Sequence, residues 1–183
     1  MKITSVILAA GQGTRMKSDL PKVLHPVCGK PMVWHALQAA RSVTSEKPIM
    51  IVGHGAEQVR ELVGDAARFV VQAERLGTGH AVQQAESILK GESAFVLVSS
   101  ADMPLLTGDT LSKLVEIQKE NTGPMTMLTI IAEDPRGFGR VVRADDGSVR
   151  AIVEEADATE AEKAIKELNV GAYCFDADWL WDA

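Results

Sequence analysis

Apolar and polar positions along the chain follow two alternating rhythms. Short apolar runs, rich in β-branched residues, recur at residues 3–8, 48–52, 68–72 and 94–98. Each is short enough for a strand and apolar on both sides, the pattern of a strand buried on both faces. Between them the spacing turns helical. Pro31 opens a helix with Val33, Trp34, Leu37 and Ala40 as its inner stripe. A second helix is predicted over about 56–63, and a third over about 80–90 with Ala81, Ala85, Ile88 and Leu89 inward. Thr107 caps a fourth, over about 109–120, in which Leu111, Leu114, Val115 and Gln118 recur at helical spacing. Strand and helix in strict alternation predict an α/β chain with a parallel sheet covered on both faces.

After Asn121 the rhythm changes. Residues 125–131 read as extended. Residues 139–143 and 149–153 flank Ala144-Asp145-Asp146-Gly147, a hairpin turn sequence. A short helix over 159–166, a strand over 168–175 and a helical piece beginning at Asp176 follow. This half is expected to add antiparallel strands to the same sheet, with inserts able to cover a ligand. No internal repeat or low-complexity linker interrupts the chain.

Composition narrows the function classes. A chain of 183 residues, 46% hydrophobic and 24% charged, suits one globular domain. A net charge of −6 leaves no basic field for nucleic acid or an anionic membrane surface. No apolar run approaches the roughly 18 residues of a membrane span. The N-terminal apolar stretch leads straight into a glycine loop, so it reads as a strand and not as a signal peptide. Cys28 and Cys174 lie far apart among apolar neighbours and are expected to be reduced, buried thiols of a cytoplasmic protein. His25, His35, His54 and His80 lack metal-ligand spacing and read as structural.

The chemistry concentrates in residues 6–22, VILAAGQGTRMKSDLPK. An apolar strand breaks at Gly11 and crosses a loop holding Gly13, Thr14 and Arg15, and a second cation follows at Lys22. Glycines let backbone N–H groups approach phosphate oxygens, and fixed cations neutralise their charge. The loop matches neither nucleotide fingerprint: the third glycine of G-x-G-x-x-G would fall at Met16, and Gly29-Lys30-Pro31 fails the Walker pattern. Taken alone, Gly11-Gln12-Gly13 is as much a tight turn as a phosphate site. Asp102, just past an apolar strand, stands at the edge where open α/β sheets bind ligands, and serves equally well as a turn residue before Pro104.

The neighbouring strings add a resemblance. L-x-x-G-x-G-T-R-M followed by Lys22, within LAAGQGTRMKSDLPKVLHPVCGKPM, resembles the sugar-1-phosphate nucleotidyltransferases. Within them it is most like the uridylyltransferase half of a bifunctional bacterial enzyme that also carries an acetyltransferase. QAERLGTGHAVQQA, DMPLL, DPRGFGRVVR, IVEEADAT and ELNVGAY follow in the same order, so the resemblance covers essentially the whole chain. It implies a Rossmann-like, GT-A-like fold with a mixed, mostly parallel sheet, and residues 1–183 as one nucleotidyltransferase domain. The implied reaction joins UTP and N-acetylglucosamine 1-phosphate into UDP-N-acetylglucosamine and pyrophosphate, for peptidoglycan and lipopolysaccharide precursors. Mg²⁺, or Mn²⁺ in its place, is the implied cofactor.

The same resemblance assigns roles. Leu8, Ala9, Ala10, Gly11 and Gly13 line the nucleotide site with backbone groups. Arg15 holds the β- and γ-phosphates, Lys22 bridges the α-phosphate and the sugar phosphate, and Asp102 holds the metal. Gln72, Gly77 and Thr78 read uracil. Ser100, Ala101, Gly139, Glu154 and Asn169 fall at sugar-binding positions. On spacing alone, Gln72 is a solvent-facing strand end, and Glu154 with Glu155 a solvated acidic face. Two departures stand out. Ser100-Ala101 replaces a family pair ending in glycine, which places a methyl where backbone approaches the ligand. The family's domain also runs past Ala183, to a metal-holding asparagine and then the acetyltransferase β-helix that builds a trimer. Trp179, Leu180 and Trp181 near the end favour a truncated piece, free to be monomeric, over a free-standing remnant. A nucleotide-sugar binding module that has lost catalysis, and a transferase for another sugar phosphate or nucleotide, stay open as alternatives.

Overall fold

Alternation within each strand decides how the sheet is covered. In β1 (Ile3–Ala9) and β4 (Ile49–Val52), successive side chains enter opposite cores. Ile7, Ala9, Met50 and Val52 pack with Val33, Ala36, Leu37 and Ala40 of α1 (Met32–Val43), and with Val59 and Val63 of α2 (Ala56–Val63). Val6, Ile49 and Ile51 pack on the other side, against Ala81 and Val82 of α3 (Thr78–Gln83), Leu89 of α4 (Glu86–Leu89) and Trp181 of α7 (Ala177–Asp182). All four β4 side chains are fully buried, each contributing roughly 1.5–3 kcal/mol of transfer free energy.

The computed structural model describes residues 1–183 and comprises two compact units: residues 1–126 with 173–183, and residues 127–172. In the first, β1 pairs in parallel with β4 and with β6 (Phe95–Ser100), and β4 pairs in parallel with β5 (Arg68–Val71). Residues 173–176 of β10 (Glu167–Asp176) run antiparallel to β6. This is the expected mixed, mostly parallel sheet with helices on both faces. α5 (Gly108–Glu120) begins at the Thr107 cap, whose hydroxyl oxygen accepts from the Thr110 N–H. Its buried residues are the four predicted from spacing.

The second unit receives the end of β7 (Met125–Ile131) and the start of β10. It is built on the hairpin of β8 (Arg140–Arg143) and β9 (Val149–Val153), with a register shift at Val142/Arg143, and Leu168 of β10 pairs with Arg140. α6 (Glu160–Lys163) is shorter than expected but opens with a complete capping box between Thr159 and Glu162.

Ahead of α1, β2 (Pro26–Val27) and β3 (Lys30–Pro31) form a small hairpin whose two turn residues, Cys28 and Gly29, have φ of 50° and 76°. Three local expectations need correction. That turn puts the Cys28 thiol in solvent, so only Cys174 is buried. Trp34 does not face the core; it falls in one helical row with Gln38 and Arg41, exposed like them, and Ala36 takes the inner place. The helix predicted over 80–90 breaks at Gln84–Ala85, where the Ala85 N–H bonds back only three residues, to Val82 O.

Candidate active site

The end of β1 and the loop after it are shaped around Lys22. Pro21 is buried against Gly55, where a side chain would collide with its ring. Gly13 turns through φ 64° with its Cα against the stem of Lys22; a Cβ there would stand 2.5 Å from Lys22 Cβ. Held on both sides, Lys22 sends its ammonium to the carboxylate of Asp102, two residues beyond β6 and 80 positions away in sequence. Burial raises the Asp102 carboxyl pKa, and the Lys22 ammonium and the Ser100 hydroxyl more than reverse it. The carboxyl therefore stays below its ordinary range and ionised.

Arg15 sits in a single 3₁₀ turn, Thr14–Met16, exposed and with no partner in the protein. Leu8, Ala9 and Ala10 run into this loop, the two alanines buried and Gly11 open. Gly53 lies against Ala10 so closely that a Cβ would come within 3.1 Å of it. A cation that sequence reasoning missed joins the loop: the Arg75 guanidinium donates to Gln12 Oε1. Nothing in its spacing marks Arg75; only the fold brings it here.

Gln72 is 6% exposed, so the reading of a solvent-facing strand end fails. Its Nε2 donates to Gly77 O at 3.2 Å and lies 3.1 Å from His80 Nδ1. Gly77 (φ 104°) and Thr78 lead into α3, which carries His80 in its first turn. Ala101 also departs from expectation. It has no exposed surface, its N–H bonds to Leu8 O at 2.9 Å, and its methyl belongs to the core cluster of Ile7, Ala9 and Val23. That methyl therefore faces the core, not a ligand. Ser100 instead serves Asp102.

The second unit gathers Gly139, Glu154 and Asn169. Gly139 O accepts from Asn169 N at 2.8 Å, and a Cβ on Gly139 would come 3.1 Å from Glu154 Oε1. Behind them Arg140, 2% exposed, donates to Phe138 O and lies 3.4 Å from Glu155 Oε2, which also accepts from the Gly137 N–H. The family resemblance singled out Gly139, Glu154 and Asn169; the buried charge beside them had no signal in composition.

No cluster of three or more His, Cys, Asp or Glu side chains could hold a metal. Asp102 is one ionised, part-exposed carboxylate paired with Lys22 beside the glycine loop. That suits Mg²⁺, which takes one or two carboxylates and otherwise keeps phosphate oxygens and water.

Glycine loop, paired Lys22 and Asp102, and Arg15 lie toward the carboxyl end of a parallel sheet, the edge where open α/β sheets bind ligands. A model of the MobA-like NTP transferase domain matches residues 5–169, and the chain belongs to that family. It is 51% identical over 177 residues to the bifunctional protein GlmU of Bacillus licheniformis, covering 97% of this chain and 39% of that protein. For the GlmU of Bacillus subtilis the identity is 49% over 179 residues, 98% of this chain and 39% of the other. For that of Exiguobacterium sp. it is 52% over 183 residues, 100% and 41%. The chain thus spans about two fifths of the length of these curated relatives. Among solved structures, HddC from Yersinia pseudotuberculosis superposes with a TM-score of 0.74 at 22% identity, over 100% of this chain and 80% of that one. CMP:2-keto-3-deoxy-manno-octonic acid synthetase complexed with CTP gives 0.72 at 20%, over 100% and 77%. Both carry the same fold. No helix is long and apolar enough to cross a membrane.

Proposed function

We propose that this chain is a nucleotidyltransferase that moves UMP from UTP to N-acetylglucosamine 1-phosphate and releases pyrophosphate. The observation that carries the reading is the Lys22–Asp102 pair, locked between Gly13 and the end of β6, with an uncommitted Arg15 in the adjoining loop. A sugar-phosphate oxygen forms a bond to the α-phosphorus while the bond to the pyrophosphate oxygen breaks, and the electron pair leaves with pyrophosphate. The nucleophile is already an anion, so no general base is needed, and the work is positioning and charge neutralisation. Arg15 holds the departing phosphates and Lys22 the two phosphates being joined. Asp102 orients Lys22 and is the residue that would hold Mg²⁺ or Mn²⁺. When bound, that ion supplies further neutralisation of phosphate charge. Leu8 to Gly11 present backbone to the nucleotide, Gln72, Gly77 and Thr78 read the base, and Gly139, Glu154 and Asn169 bond sugar hydroxyls and the acetamido group.

Pyrophosphate release from UTP, Mg²⁺ and N-acetylglucosamine 1-phosphate tests this directly. Turnover is expected, and Arg15→Ala should lower it by roughly 10²–10³-fold while unfolding barely shifts, because the side chain is solvent-borne. UTP binding without pyrophosphate release would instead identify a nucleotide-sugar binding module. Equal use of CTP, GTP and UTP would refute the assignment of uracil.

A further inference from the structure

We infer that His80 is a specificity-determining residue, because its Nδ1 holds the Gln72 carboxamide in the one orientation that offers the base only a hydrogen-bond acceptor. The inference rests on the uridylyltransferase reading above and deepens it. Gly77 O can only accept, so the Gln72 atom 3.2 Å from it must be the NH₂ group. The same NH₂ lies 3.1 Å from His80 Nδ1, which must then accept its second hydrogen. Both amide hydrogens are consumed, and Oε1 takes no partner from the protein.

His80 is thereby the tautomer with its proton on Nε2. That nitrogen and His80 O both lie 3.1 Å from the Gln84 Nε2 position. A neutral imidazole has one donor and one acceptor nitrogen, so it cannot accept from both glutamines. Each glutamine NH₂ also faces a carbonyl, so burial decides which amide gives way: Gln84 is half-buried and can swing its amide off His80 O and the ring into water, whereas Gln72, 6% exposed, stays on Gly77 O. The first turn of α3 sets this up by placing Gly77 O and the His80 ring against one side chain.

The consequence for base choice is chemical. Uracil carries an N–H at N3, which a lone Oε1 accepts. Cytosine carries a lone pair there, which Oε1 repels. An amide free to rotate would serve either base, and a thymine edge would be read as uracil is.

The test has two arms. Long-range ¹H–¹⁵N correlation on the labelled, nucleotide-free chain should show the His80 proton on Nε2 and a bare Nδ1; a proton on Nδ1 overturns the inference. Relative kcat/KM for UTP over CTP should fall about tenfold in His80→Leu, the worth of one hydrogen bond, with the sugar-phosphate KM unchanged. His80→Asn, whose Oδ1 can replace the acceptor, should keep most of the preference, and it decides the matter if the leucine variant does not fold. An unchanged ratio in His80→Leu, or a lost one in His80→Asn, refutes the lock. If the unmodified chain turns over neither nucleotide, the uridylyltransferase reading fails, and the tautomer still decides whether His80 fixes Gln72.

Discussion

Gly13 is where the loop's geometry can be tested most sharply. Substitution by alanine has two separable effects. The backbone there is left-handed, φ 64° and ψ 33°, which costs a residue with a Cβ about 1–2 kcal/mol. The new Cβ would stand 2.5 Å from Lys22 Cβ and 3.3 Å from Lys22 Cγ, where carbon contacts prefer about 3.5–4.0 Å. Lys22 must therefore retreat by about 1 Å, and its ammonium with it. A misplacement of about that size in a group that positions reacting atoms costs on the order of 10²-fold in rate. Gly13→Ala should thus lower the melting temperature by roughly 2–8 °C and turnover by about a hundredfold. The stability loss belongs to the backbone, and the rate loss to Lys22. Pyrophosphate release measured in a double-mutant cycle with Lys22→Ala separates them: once Lys22 is truncated, adding Gly13→Ala should change the rate by less than about threefold. Two losses that multiply would mean that Gly13 acts on the phosphates directly and not through Lys22, and the argument would fail.

Three further outcomes follow from the same structure. Glu155→Ala removes the carboxylate beside the buried Arg140 guanidinium, which keeps only carbonyl partners, so urea unfolding should show a clear loss of stability, whereas Glu133→Ala, at an exposed pair with Lys166, should leave the midpoint nearly unchanged. Thiol titration of the native chain near pH 8 should modify the exposed Cys28 alone, because burial pushes the Cys174 thiol up to about 12; fast modification of both would refute the buried assignment. The Asp102 carboxyl is held below its unfolded value, so the stability it supplies is complete above about pH 4 and is lost as pH falls through the lower folded value. Asp102→Asn should flatten that part of the acid-unfolding profile and leave the rest intact.

How much of this was legible in the sequence depends on the range of the interaction. Strands, helices and the glycine loop are local: apolar period, Thr107, Gly11 and the Asp146-Gly147 turn mark them without any tertiary knowledge. Residues whose meaning is set by burial were not legible. Ala101 looked like an obstruction beside a ligand and is instead core, because β6 ends with that methyl turned toward Ile7 and Val23. Cys28 looked buried and is exposed, because a two-residue hairpin turn points it outward. Trp34 was read into the inner stripe with Val33, Leu37 and Ala40, while helical geometry puts it in the exposed row with Gln38 and Arg41.

The site itself shows where the boundary falls. Residue type marked Arg15 and Lys22 as cations of a glycine loop, and the family resemblance assigned Asp102 to a metal, but neither showed that Lys22 and Asp102 meet across 80 residues. That meeting alters the chemistry expected of each. A lone lysine on a loop is a mobile cation and a lone aspartate is an even bet for a turn; paired and part-buried, each fixes the other's position, and the ammonium helps keep the carboxyl ionised. On the proposed reading, Asp102 would hold a divalent ion and Lys22 would offer its ammonium to phosphate, so the two roles share one carboxylate, a coupling that neither residue announces apart from the other.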